Sequence, residues 1–208
     1  MGFITPDTFI KNTKGKKYDM DGYPKKDPYQ CVDGIKKFCK DIYGKCDFNC
    51  GNNKASGLWT NYGTNGVEKY FDRYPYKEAV KGDWVIWGVS DKTPGTHVGM
   101  LVSGDAKNVK SYGQSQNGKK AFNTYTIPTK GILGVLRCKE YISHIMYKKG
   151  DNNKIVGKID DLLAKQVKGT LYGDYTEECV KVYQKKKKLP QTGKVDFITY
   201  ETMQKEGL

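Results

Sequence analysis

The sequence predicts an α+β fold followed by a small helical region. From Cys31, the segment CVDGIKKFCKDIY carries apolar residues at helical spacing. Because this helix precedes the β-rich segments instead of alternating with them, we expect an antiparallel meander and the α+β class. Four short segments, each bounded by Gly, Asp or Pro, are expected to form its strands: WVIW (84–87), HVGMLV (97–102), NVKSYGQ (108–114) and ILGVLRC (132–138).

The remaining segments predict two domains. Residues 1–30 are rich in Lys, Asp, Gly, Pro and Tyr and predict loop, whereas Val67 to Tyr74 predicts a short helix. The polar stretch KKGDNNK predicts a linker at 148–154. We therefore expect a larger domain over residues 1–147 and a smaller one over 155–208.

Three helices are predicted for the smaller domain. Residues 155–167 show apolar positions three to four residues apart. Thr176 is a candidate N-cap, with Glu177 and Glu178 in the first turn of the second helix. Asp196 is expected to begin the third helix. The spacing therefore predicts a three-helix domain.

Charge and length limit the partners. The chain has 208 residues and a net charge of +13, and residues 1–150 carry 25 Lys and Arg against 14 acidic residues. This excess of positive charge favours polyanionic partners, but charge alone does not distinguish nucleic acid, an anionic membrane and an anionic cell wall. The sequence has no recognised nucleic-acid motif and no apolar run near the ~18 residues of a membrane span, so we expect neither nucleic-acid binding nor membrane insertion. The N-terminus lacks a signal-peptide pattern, and we expect a monomer without disulfide bonds.

Cys31 and His97 form a candidate catalytic pair. Cys31 is expected at the N-terminus of a helix, where the helix dipole favours a thiolate, and His97 opens a predicted strand after a turn. A nearby imidazole activates a thiol nucleophile. The other close cysteines, in the pattern C-x6-C-x3-C, lack the paired spacing and the fourth ligand of a structural zinc site.

Four segments give this pair a family context: DMDGY with YQCVD (19–33), GDWVIW (82–87), HVGMLV (97–102) and YGQSQNG (112–118). In this order they resemble the CHAP family of cysteine- and histidine-dependent amidohydrolases and peptidases, which cut peptidoglycan and are common in phage endolysins. The resemblance implies a papain-like fold, with Cys31 as nucleophile and His97 as general base. It also implies hydrolysis of a peptidoglycan amide, by either an N-acetylmuramoyl-L-alanine amidase or an endopeptidase.

A third residue should orient the imidazole. CHAP relatives usually supply a Glu or Asn from the strand after the histidine strand, and this sequence departs from that pattern. One alignment places Ser115 there, a shift of two places Asn117 there, and Gln114 is a third option. We expect Asn117 to take the role, unless the site works as a dyad with water.

A calcium site is expected beside the nucleophile. Asp19 and Asp21 precede a glycine, as in the first half of an EF-hand loop, and Asp33 follows Cys31 by two residues. Calcium-binding CHAP endolysins are similar here. That resemblance implies side-chain ligands from Asp19, Asp21 and Asp33 and a backbone carbonyl from Tyr23. The following stretch is longer than in those relatives, so Asp27 is an alternative or additional ligand.

The C-terminal residues resemble the small three-helix peptidoglycan-binding domain, chiefly over LYGDYTEECVKVYQKKKKLPQTGKVDFITYETM (171–203). Tyr172, Asp174 and Tyr200 are candidate wall contacts. Together the resemblances imply an endolysin-type hydrolase that stays in the host cytoplasm until lysis and acts on peptidoglycan and its anionic polymers. The alternative is a catalytically inactive cell-wall-binding protein.

Overall fold

The computed structural model describes residues 3–21, 29–116, 118–164 and 169–208. The chain divides into two compact units, Met1–Lys139 and Glu140–Leu208. None of the helices in the described part of the chain has the length and hydrophobicity of a membrane span.

The first unit is built on a six-stranded antiparallel sheet with the strand order β1-β6-β2-β3-β4-β5. This arrangement confirms the predicted α+β class. Two 3-10 turns, Val67–Lys69 and Tyr76–Glu78, flank the first strand. The helices and strands are α1 (Pro6–Thr13), α2 (Cys31–Tyr43), α3 (Gly57–Thr60), β1 (Phe71–Tyr74), β2 (Trp84–Trp87), β3 (His97–Gly104), β4 (Asn108–Gly113), β5 (Asn123–Pro128) and β6 (Ile132–Cys138).

Aromatic packing fixes α2 against the sheet. Phe9 of α1 makes edge contacts with Phe38 of α2 and with Trp84 of β2, at ring-centroid distances of 5.2 and 6.2 Å. These rings are fully buried or nearly so, and burying an aromatic side chain stabilises a fold by several kcal/mol at about 25 cal/mol per Å². Helix α2 packs on β3, so Cys31, its first residue, lies close to the start of that strand.

Three expectations for the first unit need correction. Residues 6–13 form α1, because the Thr5 hydroxyl accepts the backbone N–H of Thr8 and Pro6 occupies the first turn. The predicted helix from Val67 ends after a single 3-10 turn, because Phe71–Tyr74 pairs with β6 as strand β1. Strand β5 was not predicted from the sequence.

The second unit contains the three expected helices and a two-stranded sheet. A buried apolar cluster that includes Val156, Ile159, Val180 and Met203 forms its core. The division at Lys139 replaces the predicted linker at 148–154, because strand β7 pairs with β8 inside the second unit. The elements are α4 (Lys139–Ser143), β7 (Ile145–Tyr147), α5 (Lys154–Ala164), α6 (Asp174–Lys186), β8 (Val195–Asp196) and α7 (Phe197–Gln204).

Helix caps in the second unit agree only partly with the sequence. The side chain of Asp196 caps α7 as predicted, accepting the N–H of Thr199 at 2.7 Å. Thr176 was predicted to cap α6, but that helix begins two residues earlier, at Asp174. The hydroxyl of Thr176 instead donates to Asp160 at 2.7 Å, and both residues are buried. Thr176 therefore joins two helices instead of beginning one.

Candidate active site

A cleft of about 890 Å³ in the first unit contains both predicted catalytic residues, Cys31 and His97. The start of α2 forms one side and the loop of residues 91–96, between β2 and β3, forms another. Residues 49–55 and the chain just after β4 complete the lining. The packing of α2 on β3 thus brings together two residues that are distant in sequence.

Opposing effects act on the pKa of the Cys31 thiol. Burial raises the pKa of the thiol to about 11, although the neighbouring backbone N–H groups of Val98, Cys31 and Val32 act in the opposite direction. The carboxylate of Asp33 adds to the increase. The predicted thiolate is therefore disfavoured in the resting protein, because desolvation outweighs the helix N-terminus.

The imidazole of His97 is buried, with 2% of the residue exposed. Burial lowers its pKa to about 4, so the ring is neutral near pH 7. Trp87, its partner in the β2–β3 register, packs against it with ring centroids 5.7 Å apart. A neutral imidazole held in this way has one nitrogen available to accept a proton.

Among the described residues, no hydrogen bond joins the thiol of Cys31 to the ring of His97. Both groups line one cleft and both are neutral, so proton transfer between them requires that the side chains first come into hydrogen-bond contact. Such approach is common, because catalytic hydrogen bonds are often long in resting enzymes.

The three candidates for the orienting residue have different positions. The amide of Gln114 is fully buried and donates to the carbonyls of Tyr18 and Gln30, at 2.7 and 2.9 Å. Gln114 thus ties two loop segments to the end of β4 and makes no described bond to His97. Ser115 lines the cleft and has a positive φ of 59°. Asn117, the preferred candidate, lies outside the described residues.

Sequence reasoning missed one polar group near His97. Ser111 lies on β4, is 1% exposed, and its hydroxyl has no hydrogen-bond partner among the described residues. A signal existed, since Ser111 is a polar residue on a strand adjacent to the histidine strand, with Val109 and Gly113 on the same side. The strand register was needed to make that signal specific.

The three predicted calcium-binding carboxylates lie together. Asp19, Asp21 and Asp33 each offer an oxygen, and these oxygens lie within 4.8 Å of one another. Lys36 pairs with Asp21 at 2.7 Å, which neutralises only part of the charge. Tyr23 and Asp27, the other predicted ligands, lie outside the described residues.

Asp33 is the buried member of this cluster, at 1% exposure. Its oxygens accept the backbone N–H groups of Met20 at 2.9 Å and Gln30 at 2.7 Å. Burial raises its pKa to about 6 despite these bonds, and Asp21 contributes to the increase. A hard cation would remove that repulsion, so the donor set fits calcium.

The predicted wall contacts in the second unit are not equivalent. Tyr172 is fully buried and its hydroxyl donates to the carbonyl of Gly193 at 2.7 Å, so its assignment as a surface contact is corrected to a core role. Asp174 is exposed and pairs with Lys149. Tyr200 is half-buried, packed against the core of the unit.

Comparison with known proteins gives a family match in the C-terminal part of the chain. Residues 135–203 match the family described as putative peptidoglycan binding domain, which confirms the predicted resemblance in this region. The match covers the greater part of the second unit and supports peptidoglycan as a partner.

Comparisons of whole chains are less informative. The structure is similar to that of the wild-type endolysin LysIME-EF1, with 21% identity, 71% of each chain covered and a TM-score of 0.49. It is also similar to a periplasmic domain of the EpsAB fusion protein of the Vibrio vulnificus type II secretion system, with 13% identity, 64% of this chain and 62% of that chain covered, and a TM-score of 0.32. At these TM-scores neither likeness tells which activity the chain has. A search of curated proteins gave no significant match.

Proposed function

We propose that the first unit is a cysteine-dependent hydrolase of the CHAP type that cuts an amide bond of peptidoglycan. The observation that carries this proposal is the presence of Cys31, at the start of a helix, and His97, at the start of a strand, in one cleft. The C-terminal match to a peptidoglycan binding domain supports the choice of substrate.

The proposed reaction is acyl transfer. His97 takes the proton of Cys31 as the sulfur attacks the amide carbonyl, because both groups are neutral at rest. Backbone N–H groups at the start of α2 stabilise the oxyanion. His97 then gives the proton to the leaving amine, and water hydrolyses the thioester.

Calcium is proposed to bind Asp19, Asp21 and Asp33, with the carbonyl of Tyr23 as a further ligand. Its contribution is structural, since it neutralises carboxylates that otherwise repel one another. Asp33 bonds the backbone N–H of Gln30, the residue before the nucleophile. The ordered carboxylates therefore hold the beginning of α2 in place.

The cellular setting is also part of the proposal. The positive charge of residues 1–150 concentrates the enzyme near anionic wall polymers. We infer an endolysin that remains in the host cytoplasm until lysis and then acts at the cell wall.

A wall-binding protein without turnover is the second candidate. The raised pKa of Cys31 and the lack of a described hydrogen bond between its thiol and the His97 ring favour it. Both candidates predict sedimentation with purified cell walls, so turnover is the property that separates them.

The deciding experiment compares the wild type with Cys31→Ala on purified peptidoglycan in the presence of calcium. We expect fragments from the wild type only, and mass spectrometry of the new termini names the bond. Stem peptides freed from glycan indicate an amidase, and split cross-bridges an endopeptidase. Sedimentation of Cys31→Ala with walls is the control for binding. Equal absence of fragments from both proteins would instead support the inactive binder.

Calcium binding is tested by thermal unfolding with chelator and with added calcium. We expect calcium to raise the melting temperature of the wild type by several degrees, and Asp19→Asn with Asp21→Asn to abolish the shift. Asp161→Asn, which removes an exposed carboxylate from α5, should keep it. If calcium does not change the melting temperature of the wild type, the protein has no such site.

A further inference from the structure

Ser111 and His97 point into the same small gap over β3. Side chains alternate along a strand, so those of residues 97 and 99 lie on one face. Ser111 pairs with Leu101 in the β3–β4 register, which places its side chain on that face too. Between them, Gly99 has no side chain.

The gap can be measured from Gly99. A Cβ placed on this residue would lie 2.2 Å from the hydroxyl oxygen of Ser111 and 3.5 Å from Nε2 of His97. Any larger residue at position 99 would displace the hydroxyl. The absence of a side chain therefore leaves the hydroxyl and the imidazole nitrogen facing one space.

Both polar groups lack a described partner in this space. Ser111 is 1% exposed and its hydroxyl makes no hydrogen bond among the described residues. His97 is 2% exposed. A buried hydroxyl without a partner costs about 1 to 3 kcal/mol, so the Ser111 hydroxyl requires an explanation, and the His97 ring is the polar group that faces it over Gly99.

We propose that Ser111 is the positioning residue of His97: its hydroxyl oxygen accepts a hydrogen bond from the Nε2–H group, which leaves Nδ1 to exchange a proton with Cys31. Rotation of the ring or of the Ser111 side chain brings the two groups into hydrogen-bond contact. The inference rests on the proposed hydrolase function. It assigns the orienting role to β4 itself, whereas the sequence had pointed to the residues just after that strand.

Neighbouring candidates are occupied or lie elsewhere. The amide of Gln114 is bound to the backbone of Tyr18 and Gln30, and its side chain lies on the opposite face of β4 from Ser111. Ser115 lies beyond the end of the strand, in the lining of the cleft. Ser111 alone among these serine and glutamine residues meets the His97 ring over Gly99.

The first test is kinetic. Ser111→Ala should lower kcat for fragment release about fivefold to tenfold, which corresponds to one lost hydrogen bond, with KM unchanged. Ser111→Thr keeps the hydroxyl and should recover most of that loss. Ser103→Ala, an exposed serine on β3, is the matched control and should behave as the wild type.

The second test does not depend on turnover. In full-length protein with ¹⁵N-labelled histidine rings, NMR should show a His97 Nε2 proton that exchanges slowly with water. Ser111→Ala should speed that exchange at least fivefold, and Ser111→Thr should restore slow exchange. Gly99→Ala should also speed it, because the new methyl group displaces the hydroxyl.

A double variant guards against misfolding as the cause. Gly99→Ala with Ser111→Ala removes the collision, yet it still lacks the hydroxyl, so fast exchange should persist in a folded protein. A Nε2 proton that exchanges at the wild-type rate in Ser111→Ala would overturn the inference. If the wild type releases no fragments, the proposed hydrolase fails, while the NMR comparison still decides whether Ser111 holds the ring.

Discussion

The two units differ in how their buried polar side chains are paired. In the second unit, Gln184 donates to Thr192, to the carbonyl of Lys194 and to Thr199, and it accepts the N–H of Gly193. In the first unit, Gln114 is bonded in a similar way, but the buried hydroxyl of Ser111 beside His97 has no hydrogen-bond partner among the described residues. Buried polar groups whose hydrogen bonds are all made help to specify a fold, whereas a buried polar group without a partner beside a cleft is typical of a catalytic site. Each unit therefore has to be probed by a different measurement, stability in one and turnover in the other.

The largest expected effect is a loss of turnover in the first unit. His97→Ala should lower the rate of fragment release by at least about 10³-fold, because His97 is the one histidine among the described residues that line the cleft. Sedimentation with cell walls should be unchanged. His144→Ala, at the other histidine, serves as the control. A rate within tenfold of the wild type would show that His97 is not the base.

The next effect concerns the second unit. Gln184→Ala leaves several buried partners unsatisfied and should lower the free energy of unfolding of this unit by about 2 to 4 kcal/mol, measured by urea denaturation. Gln204→Ala, an exposed glutamine at the end of α7, should cost less than about 0.5 kcal/mol. Equal effects of the two substitutions would mean that the network adds no stability.

Protonation of His97 gives a smaller effect. Burial lowers its pKa to about 4, so the neutral base is present above that pH and is lost as the pH falls through it. In calcium-saturated protein, NMR titration of the ring should show no change between pH 5.5 and 8, and the neutral fraction should fall about tenfold per pH unit well below pH 4. A midpoint near 6.5 would show that water reaches the ring.

The smallest expected effect tests the corrected role of Tyr172. Tyr172→Phe removes the hydroxyl that donates to the carbonyl of Gly193 and should cost about 1 kcal/mol of stability. Wall affinity should not change, because the ring is fully buried. Weaker wall binding in a variant of unchanged stability would restore Tyr172 as a contact.

Much of the fold could be read from local patterns. The apolar spacing after Cys31 and the short β-rich segments at 84–87 and 132–138 coincide with observed elements. Strand β1 could not be read in this way, because FDRY has no clear alternation and becomes a strand by pairing with β6. Likewise, 140–147 joins the second unit through the pairing of β7 with β8. Both errors come from contacts between residues distant in sequence.

The candidate site, too, could be predicted from the sequence only in part. Chemistry and family resemblance led to Cys31, His97 and the carboxylate cluster, because those residue types are rare or closely spaced in this chain. Burial was the missing quantity, since the expected thiolate is outweighed by desolvation. Ser111 required the register of two strands and the gap at Gly99, neither of which appears in a linear pattern.

The neutral sulfur of Cys31 has a consequence for the durability of the protein. Peroxides, disulfides and alkylating reagents react with thiolates, and burial raises the pKa of the Cys31 thiol to about 11, so the thiol form predominates near pH 7. Air and electrophilic labels should therefore modify the resting sulfur slowly. We therefore expect the Cys31 thiol to oxidise slowly in the resting protein and to become reactive only when substrate is bound and His97 takes its proton.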